Sequence, residues 1–267
     1  MRGQLKFSLC LDPVFTDYDY YDRVKIAAEL GYDGIELWDV ASLDPTRLRQ
    51  VCDGCNMEIA NFNCIDAWNQ NMCRPSRTVL ENMRESFKIG QELKARNILV
   101  LSSYREGRAG NYKNIMISNL KLIGELADRE EIHVNLEPLN TLAEHKGYAL
   151  DSSEDGFEII KCVNNPWIGL VFDIYHMQIM EGNIISNLTG NAGLVGHIHT
   201  AGCPGRHEHF LGENDYPNIL AAVARTAYDG YIGLEYFPSY DSRRSAKDVL
   251  AYLKSYRERT LSPKEQP

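Results

Sequence analysis

No apolar run in this chain approaches the roughly 20 residues that span a bilayer, so no membrane segment is expected. A secretory leader is not expected either, because MRGQLKFSLCLD sets charges and an aspartate where such a leader would be continuously apolar. The seven cysteines, Cys10, Cys52, Cys55, Cys64, Cys73, Cys162 and Cys203, are odd in number and form no paired framework. Reduced thiols in a cytoplasmic protein are the expectation. Cys52 and Cys55 make a single CxxC at the end of a predicted helix, and without a second pair it supports neither a zinc nor a redox assignment. Basic charge is short as well: 28 Lys and Arg against 37 Asp and Glu leave a formal charge of -9. That balance disfavours a nucleic-acid partner, which needs clustered Lys and Arg to displace counterions. No linker rich in Pro, Gly or Ser divides the chain, and no repeat longer than a strand-helix unit appears, so residues 1–267 read as one domain.

What the chain does have is a core-forming apolar fraction of 44% and a strict alternation of two periodicities. Short β-prone runs fall at 6–11, 34–39, 58–63, 97–103, 132–138, 168–174, 195–200 and 231–237. Helical patterns lie between them at 18–30, 44–54, 75–95, 112–130, 153–164, 183–190, 217–228 and 243–259. Asp44 with Pro45, Ser152 or Ser153, and Pro217 supply helix starts. The tail SPKEQP is polar and expected to fray. Parallel strands need crossovers, and eight such units close most naturally into a (β/α)8 TIM barrel, an α/β fold that commonly takes about 250 residues; an open doubly wound sheet is the weaker option.

Four strand ends carry chemistry. In HVNLEPLN, GLVFDIYHM, VGHIHTAG and YIGLEYFP, the side chains of Glu137, Asp173, His199 and Glu235 stand where the apolar run stops. Alternation puts Asn135 on the face of Glu137, Val171 with Asp173, His197 with His199 and Gly233 with Glu235, so the four polar groups point inward. Burying uncompensated charge costs several kcal/mol or more. Three carboxylates and an imidazole on adjacent strands suit a divalent cation, Mn, Mg, Co or Zn, and barrel enzymes keep their chemistry at this end of the strands. Trp38 and Asn63 end strands 2 and 3 with groups that can wall or hydrogen-bond a polyol, although core packing accounts for Trp38 about as well. Phe7, Phe15, Trp68 and Tyr104 are candidates to close the pocket. Asn135 and His197 are expected to form a hydrogen-bonded layer beneath the cation.

EPLN (137–140), FDIYHMQIMEGN (172–183), HTAGCPGRHEHFLGENDYP (199–217) and GLEYFPS (233–239) together resemble the hydroxypyruvate isomerase branch of the xylose-isomerase-like TIM-barrel superfamily. The resemblance is detailed in the carboxyl-terminal half and extends to the whole chain in layout. It implies that Glu137, Asp173, His199 and Glu235 are the metal ligands, with Glu137 and Glu235 also the proton-handling pair. It implies further that His176 and Arg206 hold substrate oxygens. Fixing a ligand is the other reading of His176, and a surface loop position the other reading of Arg206. Glu208 is placed to orient Arg206 through a salt bridge, and His207 and His209 read as solvated or structural. The implied activity is metal-dependent aldose-ketose isomerisation of a small unphosphorylated hydroxy-carbonyl compound, by proton transfer through an enediolate. His199 departs from this branch, where glutamine often stands, and resembles the ketose 3-epimerases. Apurinic-site endonucleases share the barrel but need histidines at the ends of strands 3 and 4, where this chain has Asn63 and Ser102. A non-catalytic sugar-binding barrel is the remaining alternative. Barrels of this family are often homo-oligomers, dimers or tetramers, and the sequence leaves that state open.

Overall fold

A strand followed by a parallel neighbour needs a crossover, and every crossover here carries at least one helix. The computed structural model describes residues 4–70, 72–75, 77–104 and 111–261, so the tail SPKEQP lies outside the described residues. The strands are β1 (Lys6–Cys10), β2 (Gly34–Leu37), β3 (Glu58–Asn63), β4 (Asn97–Leu101), β5 (His133–Glu137), β6 (Ile168–Asp173), β7 (Val195–Thr200) and β8 (Tyr231–Leu234). All pair in parallel, and β8 returns to β1 to close the barrel.

The expected starts hold. Asp44 accepts a hydrogen bond from Arg47 N ahead of the helix Pro45–Cys55, and Ser152 does the same from Asp155 N for Ser153–Val163. Asp215 caps Tyr216–Val223, with Pro217 in its first turn. Outward strand residues pack on this helical layer. Phe172 of β6 stacks on Phe157 of the helix Ser153–Val163 with ring centroids 6.1 Å apart, and each such fully buried side chain contributes about 1.5–3 kcal/mol.

The boundaries differ where apolar residues outlast the ladder. Strand β2 stops at Leu37 and β8 at Leu234, so Trp38 and Glu235 each stand one residue beyond a strand rather than on it. A helix at Ile174–Met180 follows β6 directly, where the sequence reading placed a strand end and a loop. The segment expected as one last helix is two, Ser242–Lys254 and Tyr256–Leu261.

The barrel interior is polar. Ser8, Glu36, Asn61, Asn97, Asn135, His197 and His199 are all buried inside the strands. Two glycines make room for them. A Cβ on Gly196 would stand 2.0 Å from Asn135 Oδ1, and one on Gly233 would stand 2.2 Å from Glu36 Oε1.

Candidate functional site

Glu137 closes β5, Asp173 closes β6, His199 is the penultimate residue of β7, and Glu235 follows β8. The register sets Asp173 opposite His199 and His199 opposite Gly233, so the four side chains meet at one rim. One donor atom from each lies within 4.8 Å of the others, and all four residues are buried. His199 Nδ1 is 2.9 Å from Glu137 Oε1 and 3.6 Å from Glu235 Oε2.

Crowding shows in the acidities. Burial, then the neighbouring Glu137, pushes Asp173 up to about 7. Burial also raises Glu137, against the pull of His199. Glu235 goes the other way: burial would raise it, but Arg206 and His199 hold it below the usual carboxylate range. Burial would lower His199, yet Glu235, Glu36 and Glu137 together keep it well above an ordinary imidazole. Carboxylates forced toward protonation beside one another are the hard oxygen donors a divalent cation relieves, so the set fits Mn, Mg, Co or Zn.

The surrounding groups fix orientations. Asp173 Oδ1 accepts the backbone N–H of Tyr175 at 2.7 Å and of His176 at 3.3 Å, capping the helix Ile174–Met180 and leaving Oδ2 to the cluster. Asn140 Oδ1 accepts from Ala143 N and Glu144 N, which turns its amide Nδ2 to His176 Nδ1 at 2.7 Å. His176 is therefore the Nε2–H tautomer, with that donor 3.4 Å from Asp173 Oδ2. Trp38 Nε1–H donates to Glu235 Oε1 at 2.5 Å. Arg206 sits at φ +57° and ion-pairs through Nη2 with Glu235 Oε2, while Nη1 reaches Glu144 Oε2 at 3.4 Å. The Tyr175 ring lies 5.4 Å from its guanidinium, and Tyr175 Oη–H donates to Glu144 Oε1 at 2.6 Å.

His176, Arg206 and Trp38 thus join the four donors, whereas Asn63 closes β3, buried, and makes none of the hydrogen bonds around the cluster among the described residues. Glu208 does not orient Arg206; it accepts from Ser239 and Ser245. Asn135 bonds to Asn97 at 3.0 Å rather than to a donor of the cluster. His197 does lie in the layer beneath, bonded to Glu36. Phe7 faces outward onto Tyr256, so it closes no pocket, and Phe15 is buried against Tyr18. Trp68 stacks on His145 at 5.9 Å, and His145 meets His176 edge-on at 5.4 Å, which carries Trp68 to the rim. Tyr104 packs on Tyr148 at 4.5 Å.

Sequence reasoning missed Glu36, Glu144 and Asn140. Glu36 is the sharpest omission, because alternation applied to GIELWD puts it on the face of Gly34 two residues before Trp38.

The sequence pattern of the xylose isomerase-like TIM barrel matches residues 24–256. A curated relative, the 2-oxo-tetronate isomerase of Cupriavidus necator, is 28% identical over 262 residues, spanning 94% of this chain and 98% of that protein. The hydroxypyruvate isomerase of Escherichia coli is 26% identical over 244 residues, spanning 88% and 94%. Among solved structures, one described as AP endonuclease, family 2, from Brucella melitensis superposes with a TM-score of 0.86 at 25% identity, covering 93% of this chain and 99% of that one. With its barrel closed in eight parallel strands and most of its length inside that pattern, this chain belongs to the xylose isomerase-like TIM barrel family.

Proposed function

We propose that the protein is a metal-dependent aldose-ketose isomerase of the hydroxypyruvate isomerase type, acting on a small unphosphorylated hydroxy-carbonyl compound by proton transfer through an enediolate. The observation that carries this reading is the meeting of two buried carboxylates, Glu137 and Glu235, with Asp173 and His199 in one donor cluster. The near full-length match to proteins named 2-oxo-tetronate isomerase and hydroxypyruvate isomerase supports it.

Glu137, Asp173, His199 and Glu235 would hold the divalent cation, which supplies Lewis acidity to a carbonyl and its neighbouring hydroxyl and so acidifies the C–H bond between them. Of Glu137 and Glu235, one removes that proton as general base, and the proton returns to the adjacent carbon from the same or the opposite carboxylate. Arg206 and the Trp38 indole occupy one oxygen each of Glu235 and give the carboxylate a single orientation. The Nε2–H of His176, fixed by Asn140, and the Arg206 guanidinium are the donors for substrate oxygens. Trp38 and Asn63 complete the wall. No disulfide joins any of the seven cysteines, which supports a reducing, cytoplasmic setting. Among the described residues no helix is long and apolar enough to cross a membrane.

Incubation with hydroxypyruvate and a panel of aldoses and ketoses in D2O, followed by NMR, tests the reading. Carbonyl migration with deuterium on the neighbouring carbon is expected. Inversion at C3 without migration would favour a ketose 3-epimerase, the reading that His199 supports. No exchange with any compound would leave a non-catalytic sugar-binding barrel. A phosphodiesterase reading has against it Asn63 and Ser102, where histidines would be needed, and a net charge of -9.

A further inference from the structure

Glu36 is buried in the barrel interior, one residue before the end of β2, and all its acceptor capacity is used. Its Oε1 accepts from Ser8 Oγ at 2.5 Å and from His197 Nε2 at 3.0 Å. Its Oε2 accepts from His199 Nε2 at 2.8 Å and from Asn61 Nδ2 at 3.4 Å. An ionised carboxylate offers about four lone-pair sites, so four donors satisfy it and leave none for a cation. Glu36, His197 and His199 also lie close enough to hold an ion among themselves, but that arrangement would strip both imidazoles of the protons they share with Glu36.

We propose that Glu36 is a positioning residue: by accepting the Nε2–H of His199 it fixes that imidazole with Nδ1 turned to Glu137, Asp173 and Glu235, where the cation is to be held. This rests on the metal-site reading above. A neutral imidazole carries one proton, and committing it to Nε2 leaves Nδ1 as the donor atom. The fold protects the arrangement, since any Cβ at position 233 would collide with Glu36 Oε1 at 2.2 Å and with His197 Nε2 at 2.8 Å. His197 Nδ1 has no partner among the described residues, so the same carboxylate holds the His197 proton on Nε2 as well.

The test reads both the proton and the ion. In the 15N-labelled wild-type protein, long-range 1H–15N spectra are expected to show His199 Nε2 protonated both before and after Zn²⁺ addition, with Nδ1 shifting on addition. Zn²⁺ bound through Nε2, with the proton on Nδ1, would overturn the proposal. If Zn²⁺ shifts neither nitrogen while Nε2 keeps its proton, the metal reading fails and the assignment of Glu36 to that proton stands. Calorimetric titration of the metal-free protein with Zn²⁺ supplies the second arm. Glu36→Met, which removes the acceptor at similar volume, is expected to weaken binding by ~10–100-fold. Glu36→Gln is expected to recover most of that loss, because its amide oxygen still accepts from His199 and its NH2 can face a His197 of the other tautomer. Equal affinities in the wild type and both variants would overturn the proposal. If Glu36→Met does not fold, the wild-type spectra and Glu36→Gln still decide it.

Discussion

The two ends of the barrel hold charge in opposite ways. At the carboxyl ends of the strands Glu137, Asp173, His199, Glu235 and Arg206 are packed together away from water. At the amino ends a cleft of about 1000 Å³ opens among Lys6, Arg96, His133 and Asn135, with its charges facing solvent. Arg96 pairs there with Glu58, both about half exposed, and Lys6 lies over the Tyr231 ring at 5.4 Å. An exposed pair contributes about 0–1 kcal/mol, whereas breaking a buried one costs about 3–5. Desolvated, convergent charge is therefore confined to the carboxyl end, where the proposed chemistry lies.

The largest effect that could break this contrast is at Glu235. Glu235→Gln keeps the shape and the Trp38 contact but removes the proton carrier, and kcat is expected to fall by about 10²–10⁴-fold. Circular-dichroism melting should show the barrel still folded. Turnover equal to the wild type would remove Glu235 from the proton transfer.

Chelation comes next. Stripping divalent ions should abolish turnover and lower the melting temperature, and adding back Mn²⁺ or Mg²⁺ at 100 times its dissociation constant should restore about 2.7 kcal/mol of stability. A melting temperature indifferent to both treatments would mean that the rim carboxylates compensate one another without an ion.

Much of the rim was legible in the sequence because each donor is written locally, as a polar residue ending an apolar run. Asp173 and His199 needed only the period of 2 and the rule that barrel chemistry lies at strand ends. Partners distant along the chain were not legible. Glu36 finds His197 and His199 more than 160 residues away, and Arg206 finds Glu144 at a separation of 62 rather than its near neighbour Glu208. Strand ends were overrun at Trp38 and at Phe237 because aromatic residues keep the strand pattern after the last ladder bond. The helix Ile174–Met180 was overlooked although Asp173, its cap, was in plain view as a candidate ligand.

Two imidazoles at the same rim sharpen the comparison further. His199 faces carboxylates, whereas His209 donates through Nε2 to Thr200 Oγ1 at 2.8 Å and packs between Tyr216 and Tyr236. Burial lowers His209 to about 3, the Thr200 contact and the charge of Glu208 opposing it without success. The unfolded chain takes up this proton below about 6.5 and the folded chain does not, so the stability it confers is complete above that pH and drains away as pH falls toward 3. Between pH 7 and pH 5 the wild type should lose about 2 kcal/mol more than His209→Gln in urea melts. Parallel losses in the two proteins would show His209 to be protonated in the fold.

The smallest effect belongs to the other end. Arg96→Ala breaks the pair with Glu58, whose carboxylate also accepts from Tyr231 Oη at 3.1 Å and remains in reach of water. The expected cost is under about 1 kcal/mol, falling further in high salt, with kcat and KM unchanged. Since nothing at the cleft forces charge out of solvent, its residues can be exchanged without reaching the rim across the intervening layer of Asn135, His197 and Glu36. A change in kcat on replacing Arg96 would break the contrast, for it would mean that this polar interior transmits strain from one end of the barrel to the carboxylates at the other.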